Sequence, residues 1–114
     1  MDLTFNKYVE DSAQTAIYPT KFAIIYPALG LAGEAGEVAN KIKKLLRDYD
    51  HDLNMVPEEM IEEICFELGD VLWYIAALVR DLDSFDLQTI AEHNMIKLLN
   101  RKQRGVLGGS GDKT

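Results

Sequence analysis

The residues of this chain best suited to chemistry are four carboxylates at helical spacing: Glu34-x-x-Glu37 in GEAGEV and Glu67-x-x-Asp70 in ELGDVLWYI. Residues three apart on a helix share a face, so each pair points two acids the same way. Like charges so placed cost an isolated helix roughly 0.2–0.5 kcal/mol per pair. Both pairs sit beside Leu, Val, Ile and Trp, so they need a compensating cation. If the two helices pack, the four acids converge, and a hard divalent metal with an oxygen-only shell is the natural guest.

Two plainer readings stand beside this one. The acids can form a solvated stripe, or Lys41 and Lys44 can neutralise them as internal ion pairs. The stripe suits Glu34 and Glu37 better than the second pair, which Leu68, Val71 and Leu72 crowd, with Gly69 between the acids. Glycine in mid-helix costs about 1 kcal/mol relative to alanine, so it suggests close approach by a neighbour or ligand. Gly30, Gly33 and Gly36 dress the first pair in the same way.

A basic group supplies the second constellation. Asn94, Lys97 and Arg101 lie at i, i+3 and i+7 on one helical face, in a stretch from Asn94 to Arg104 without an acid. Cations favour helix C-termini through the macrodipole, which explains the group without a ligand. The functional reading is phosphate binding: a basic patch near a metal cage suits a polyphosphate, with metal and cations sharing its charge. Other chemistry has less to stand on. His51-Asp52 lacks companion histidines beyond His93, and the Glu-x-x-His motif of carboxylate-bridged di-iron bundles is absent. No GxxxxGK[ST] loop or GxGxxG turn occurs. Cys65 is the single cysteine, so no internal disulfide forms, and in ICF it reads as a small core residue. Trp73, Tyr74 and Tyr26 read as core or interface residues, any one of which can stack on a nucleobase.

Four helices must position these groups, and no strand pattern competes. The first is expected over 3–17, ending before Tyr18-Pro19 because proline disfavours helical geometry in the residue ahead of it. The second begins between Phe22 and Leu29 and runs to Leu46, with Pro27 tolerable in its opening turn. The acidic stretch 47–57 reads as a loop. Pro57-Glu58-Glu59 opens the third helix, which runs to Asp81 and is apolar on every face in VLWYIAALV. A bundle of four short helices rarely encloses one helix fully, so a subunit interface is the expected cover. Asp86 caps the fourth helix, over 87–102. The fold class expected is all-α, a four-helix bundle-like protomer completed by oligomerisation, with one domain over 1–104 and a glycine-rich tail over 105–114.

Composition narrows the partners. At 114 residues the chain is one domain, and its net charge of −7 opposes a nucleic-acid-binding surface, which needs a basic footprint. It lacks an apolar run of about 18 residues, so no membrane span is expected. MDLTFNKYVED carries neither a basic leader nor an apolar signal core, and a cytoplasmic location is expected.

Three segments, YPALGLAGEAGEVANKIKK, ELGDVLWYIAALV and NMIKLLNRKQRGVLGGSGD, resemble the MazG-like nucleotide pyrophosphohydrolases, whose signature is ExxE, a spacer, then ExxD. The similarity covers most of the chain, from Tyr8 to Asp112, and is to the short, single-domain members. The resemblance implies an all-α enzyme turning a nucleoside or deoxynucleoside triphosphate and water into the monophosphate and pyrophosphate. It implies Mg²⁺, replaceable by Mn²⁺, on Glu34, Glu37, Glu67 and Asp70, with a metal-activated water attacking the α-phosphorus and Glu34 or Glu37 as catalytic base. Asn94 and Lys97 match positions that reach the phosphates, and Arg101 is a reasonable addition. Family members form dimers or dimer-of-dimers tetramers. Within the superfamily, dUTP- or dCTP-directed enzymes share the acid cage. Phosphoribosyl-ATP enzymes do too, but carry a histidine where this chain has Trp73-Tyr74. From a different class, the rival is a non-catalytic helical dimerisation module.

Overall fold

The computed structural model describes residues 1–105, and over them the chain is all α-helix and 3₁₀ turn, with no strand. Helix α1 spans Phe5–Asp11, α2 Ile25–Tyr49, α3 Glu58–Leu82 and α4 Leu87–Gln103. The expected tail lies outside the described residues, apart from Gly105.

Local chemistry sets most of the boundaries. The Thr4 hydroxyl accepts from the Lys7 amide at 3.1 Å and starts α1, which is shorter than expected because residues Ser12–Thr15 tighten into a 3₁₀ turn. Pro27 is buried in the opening turn of α2, where its missing amide hydrogen is no loss. That helix continues through Arg47 to Tyr49, beyond the expected end at Leu46. It stops where Asp50 and His51 turn left-handed, at φ 49° and 61°. Pro57 stands ahead of α3, with Glu58 and Glu59 in its positive first turn. Asp86 caps α4, accepting from the Thr89 amide at 2.7 Å.

Packing follows from these lengths. Helices α2 and α3 pair along each other, α1 crosses α3, and α4 meets the rest chiefly at α1. Asn6 makes that last joint, donating to Asp86 at 3.1 Å and accepting from the Gln88 amide at 3.1 Å. Arg80 pins the end of α1 to α3, with its guanidinium donating to the Val9 carbonyl at 2.8 Å and the Ser12 hydroxyl at 2.7 Å. The protomer is therefore an α2/α3 hairpin flanked by α1, with α4 leaning outward, and is more open than the bundle-like protomer expected. Its radius of gyration is 17.2 Å, against about 13 Å for a compact chain of this length.

The core is correspondingly small. Among the described residues, Ala76 and Ala77 have no exposure, and Val9, Pro27 and Leu45 join them in being buried. The rest of VLWYIAALV is half-buried, so the expectation of a helix covered on all sides is met only at the two alanines. Cys65 is exposed, which corrects its reading as a core residue: its half of α3 has one side against α2 and another open.

One backbone feature is strained. Ile24, a β-branched residue, has φ 71° and ψ −54°, and the amide of Ile25 donates to the Ala23 carbonyl at 2.8 Å across it. This is a γ-turn of the positive-φ kind, rare for any side chain and more so for isoleucine. Asp81 holds it: one carboxylate oxygen accepts from the Ile24 amide at 3.0 Å and from the Tyr18 hydroxyl at 2.8 Å. The end of α3 thus fixes the entry into α2.

Candidate metal centre and active site

The helix hairpin brings Glu34 of α2 to Glu67 and Asp70 of α3. One oxygen from each lies within 4.8 Å of the others. Glu34 and Glu67 are half-buried and Asp70 is exposed, so the group opens to solvent on one side. Glu37, the remaining acid, is exposed one turn along α2 and stands outside this group.

Electrostatics make the group unfavourable when nothing cationic sits in it. The Glu67 Oε2 atom is out of contact with water and has no donor. Burial raises the Glu67 carboxyl above the usual carboxylate range, and sharing a hydrogen bond with Asp70 and the charges of Asp70 and Glu34 raise it further. Lys41 pulls the other way, but its ammonium pairs with Glu63 at 4.0 Å. An orphaned, buried carboxylate oxygen beside two further carboxylates is the donor set that a hard divalent cation fits. The internal ion-pair reading does not account for it.

Beside the acids is a cavity of about 330 Å³ lined by Thr15, Glu34, Asp70, Trp73 and Tyr74. Aromatic rings wall it. Trp73 meets Tyr74 edge-on with centroids 5.0 Å apart, Tyr74 tilts against Tyr26 at 6.4 Å, and Tyr26 stacks on Tyr18 at 4.8 Å. Burial, Tyr26 and the nearby acids Glu34 and Asp70 raise the Tyr74 hydroxyl, so it stays protonated at neutral pH. Gly30 explains how the tyrosine sits so close to α2: a Cβ there would overlap the Tyr74 ring. A methyl placed on Gly33, Gly36 or Gly69 would meet no packed neighbour within 4 Å, so the close approach expected at these glycines is not made within the protomer.

The basic residues gather elsewhere in the protomer. Lys97 lines a separate cavity of about 430 Å³ on α4 with His93, Ile96, Asn100 and Arg104, Arg101 is buried, and Asn94 is exposed. Among the described residues, none of α4 lines the cavity at the acids. Thr15 is the site residue that sequence reasoning missed. A lone threonine in SAQT carries no motif, and only the turn after α1 swings it over α3.

Comparisons with known proteins identify the family. Residues 27–106 match the model of the MazG nucleotide pyrophosphohydrolase domain, a span holding all four acids and the α4 group. The chain is 45% identical over 107 residues to the Gene 37 protein of Mycobacterium phage L5, covering 89% of this chain and 90% of that one. No solved structure matches it significantly. With Glu34 of the ExxE on α2 brought to Glu67 and Asp70 of the ExxD on α3, and the domain match spanning most of its length, the chain belongs to the MazG nucleotide pyrophosphohydrolase family.

Proposed function

We propose that this chain is a Mg²⁺-dependent hydrolase that converts a nucleoside or deoxynucleoside triphosphate and water into the monophosphate and pyrophosphate. The observation that carries the reading is the convergence of Glu34, Glu67 and Asp70 with a buried Glu67 oxygen that no donor satisfies. These three would hold Mg²⁺, or Mn²⁺ in its place. When bound, the metal neutralises phosphate oxygens and makes a water acidic enough to act as nucleophile.

The chain's own groups supply the remainder. We assign the general base, which accepts the water's proton, to Glu37, the acid of the pair on α2 that the three-acid group leaves out. Asn94, Lys97 and Arg101 bind the β- and γ-phosphates as one leaving unit. Helix α4 leans on α1 and contributes nothing to the acid cavity, so we assign these contacts to the α4 of a second copy in a homodimer or dimer-of-dimers.

The area of the protomer supports that assembly. It exposes 8738 Å², whereas a compact monomer of 12.9 kDa exposes about 6,300 Å². Large apolar side chains contribute to it, with Leu29, Phe66, Met95 and Ile96 each more than half exposed.

Phosphorus NMR of the reaction tests the chemistry. Monophosphate and pyrophosphate should appear together from the first turnover, and water labelled with heavy oxygen should leave its label on the monophosphate. Initial release of orthophosphate with a nucleoside diphosphate would overturn the reading. Glu37→Gln should lose turnover yet keep the rise in melting temperature that Mg²⁺ produces, whereas Asp70→Asn should lose both.

A further inference from the structure

We infer that Asp81 is a positioning residue of the metal centre: it clamps the strained turn at Ile24 and so fixes the register in which Glu34 meets Glu67 and Asp70. The inference rests on the metal reading proposed above and concerns what holds the ligands in place.

Helices α2 and α3 form an antiparallel hairpin whose rungs are visible as contacts. Gly30 lies against the Tyr74 ring, Glu34 meets Asp70, and Lys41 pairs with Glu63. Steps of four and seven residues along α2 are matched by steps of four and seven back along α3. The hydrogen bond between Ile24 and Asp81 is the terminal rung, six residues before Gly30 and seven beyond Tyr74.

This register has a near competitor, because GLAGEAGE repeats itself at a shift of three. A screw displacement of α2 by three residues, about 4.5 Å along its axis, would put Gly33 under Tyr74 and Glu37 among the acids of α3. The middle rungs therefore fit both registers. The Lys41–Glu63 pair adds little preference, since it is long, at 4.0 Å, and Glu63 is exposed. The terminal rung does discriminate. Three residues on from Ile24 is Pro27, which has no amide hydrogen to give to Asp81.

That rung is also firmly made. One oxygen of the half-buried Asp81 accepts from the Ile24 amide at 3.0 Å and from the Tyr18 hydroxyl at 2.8 Å. Burial and Asp81 raise the Tyr18 hydroxyl, so it remains a donor. The Tyr18 ring stacks on Tyr26, in the first turn of α2, at 4.8 Å. Ile24 meanwhile is held at φ 71°, which a β-branched residue keeps only where its surroundings impose it.

Mn²⁺ is the probe, because loss of its free-ion paramagnetic resonance signal measures bound metal without turnover. Asp81→Ala should weaken Mn²⁺ binding about 5- to 150-fold, the strain of one such residue expressed as an equilibrium constant. Circular dichroism should show its helices retained. Asp81→Asn should bind Mn²⁺ as the unmodified chain does, since a carboxamide oxygen can accept both hydrogens. Ile24→Pro, which withdraws the amide and forbids the positive φ, should reproduce the loss with Asp81 in place. Adding Ile24→Gly to Asp81→Ala should recover part of the affinity, because glycine takes this turn without a clamp. A residue that merely stabilised the fold would lower the melting temperature and leave the affinity of the folded protein alone.

Unaltered Mn²⁺ affinity in folded Asp81→Ala would overturn the clamp, and Ile24→Pro decides the matter if Asp81→Ala does not fold. Loss of affinity in Asp81→Asn equal to that in Asp81→Ala would overturn it too. These results leave the metal reading standing. Failure of the unmodified chain to bind Mn²⁺ would overturn both.

Discussion

At Glu67 a single side chain carries two opposed demands. Its carboxyl is pushed above the ordinary range by burial first and by Asp70 and Glu34 next, so the folded chain holds that proton more tightly than the unfolded chain does. A raised folded-state pKa contributes stability that is present below the unfolded value and is lost as pH rises through the folded one. The metal-free protein is therefore penalised at neutral pH by a group that the proposed metal site would use. Glu67→Gln should melt higher than the unmodified chain at neutral pH in chelator, and the gap should close as pH falls into the carboxylate range. Added Mg²⁺ should reverse the order, since only the glutamate retains the full ligand set. Thermal melts of both proteins across pH, with chelator and with metal, check this. A gap that does not change with pH would show that the carboxylate charge is not its source.

At the scale of elements, the α2/α3 pair is what turns two sequence motifs into one site, and glycine sets how closely it is packed on one side. Gly30→Ala regains about 1 kcal/mol of helix propensity but drives a methyl into the Tyr74 ring. Overpacking of a fitted contact costs about 1–3 kcal/mol, so the net change should be destabilising, with Tyr74 and the Trp73 wall displaced. Gly69→Ala meets open space within the protomer, so it should gain up to about 1 kcal/mol if nothing else approaches. Denaturant unfolding of the two variants separates the cases. Loss of stability in Gly69→Ala would place a second copy against that face of α3.

At the scale of the whole molecule, the protomer is more open than a compact chain of its length, with a radius of gyration of 17.2 Å. Scattering should show a dimer or tetramer, and Phe66→Asp, at a side chain 75% exposed in the protomer, should give a smaller species without unfolding its helices. An active monomer of the unmodified chain would contradict the assembly. Whether α4 serves its own acids or those of a partner can be read by mixing two inactive variants. Asp70→Asn and Lys97→Ala, unfolded and refolded together, should regain about a quarter of full activity if each site takes its acids from one copy and its cations from the other. Mixtures that stay inactive would place both groups in one chain.

Spacing alone determined a good deal here. Acids three apart must share a helical face, apolar residues at a period of 3.6 must bury one side, and Asp86 ahead of Leu87 is the right chemistry to start a helix. These are local consequences of backbone geometry, so the four helices, the acid pairs and the cap on α4 were legible from the sequence. Which acids meet was not. Glu34 joins Glu67 and Asp70 while Glu37 stays outside, because the crossing of α2 on α3 selects one turn of each helix. The same holds for Cys65, apolar by its neighbours yet exposed, and for Thr15, whose place over Trp73 depends on a turn that Arg80 ties down at Ser12. Contacts between residues 58 positions apart, as Thr15 and Trp73 are, depend on how whole elements dock, and no local pattern encodes that.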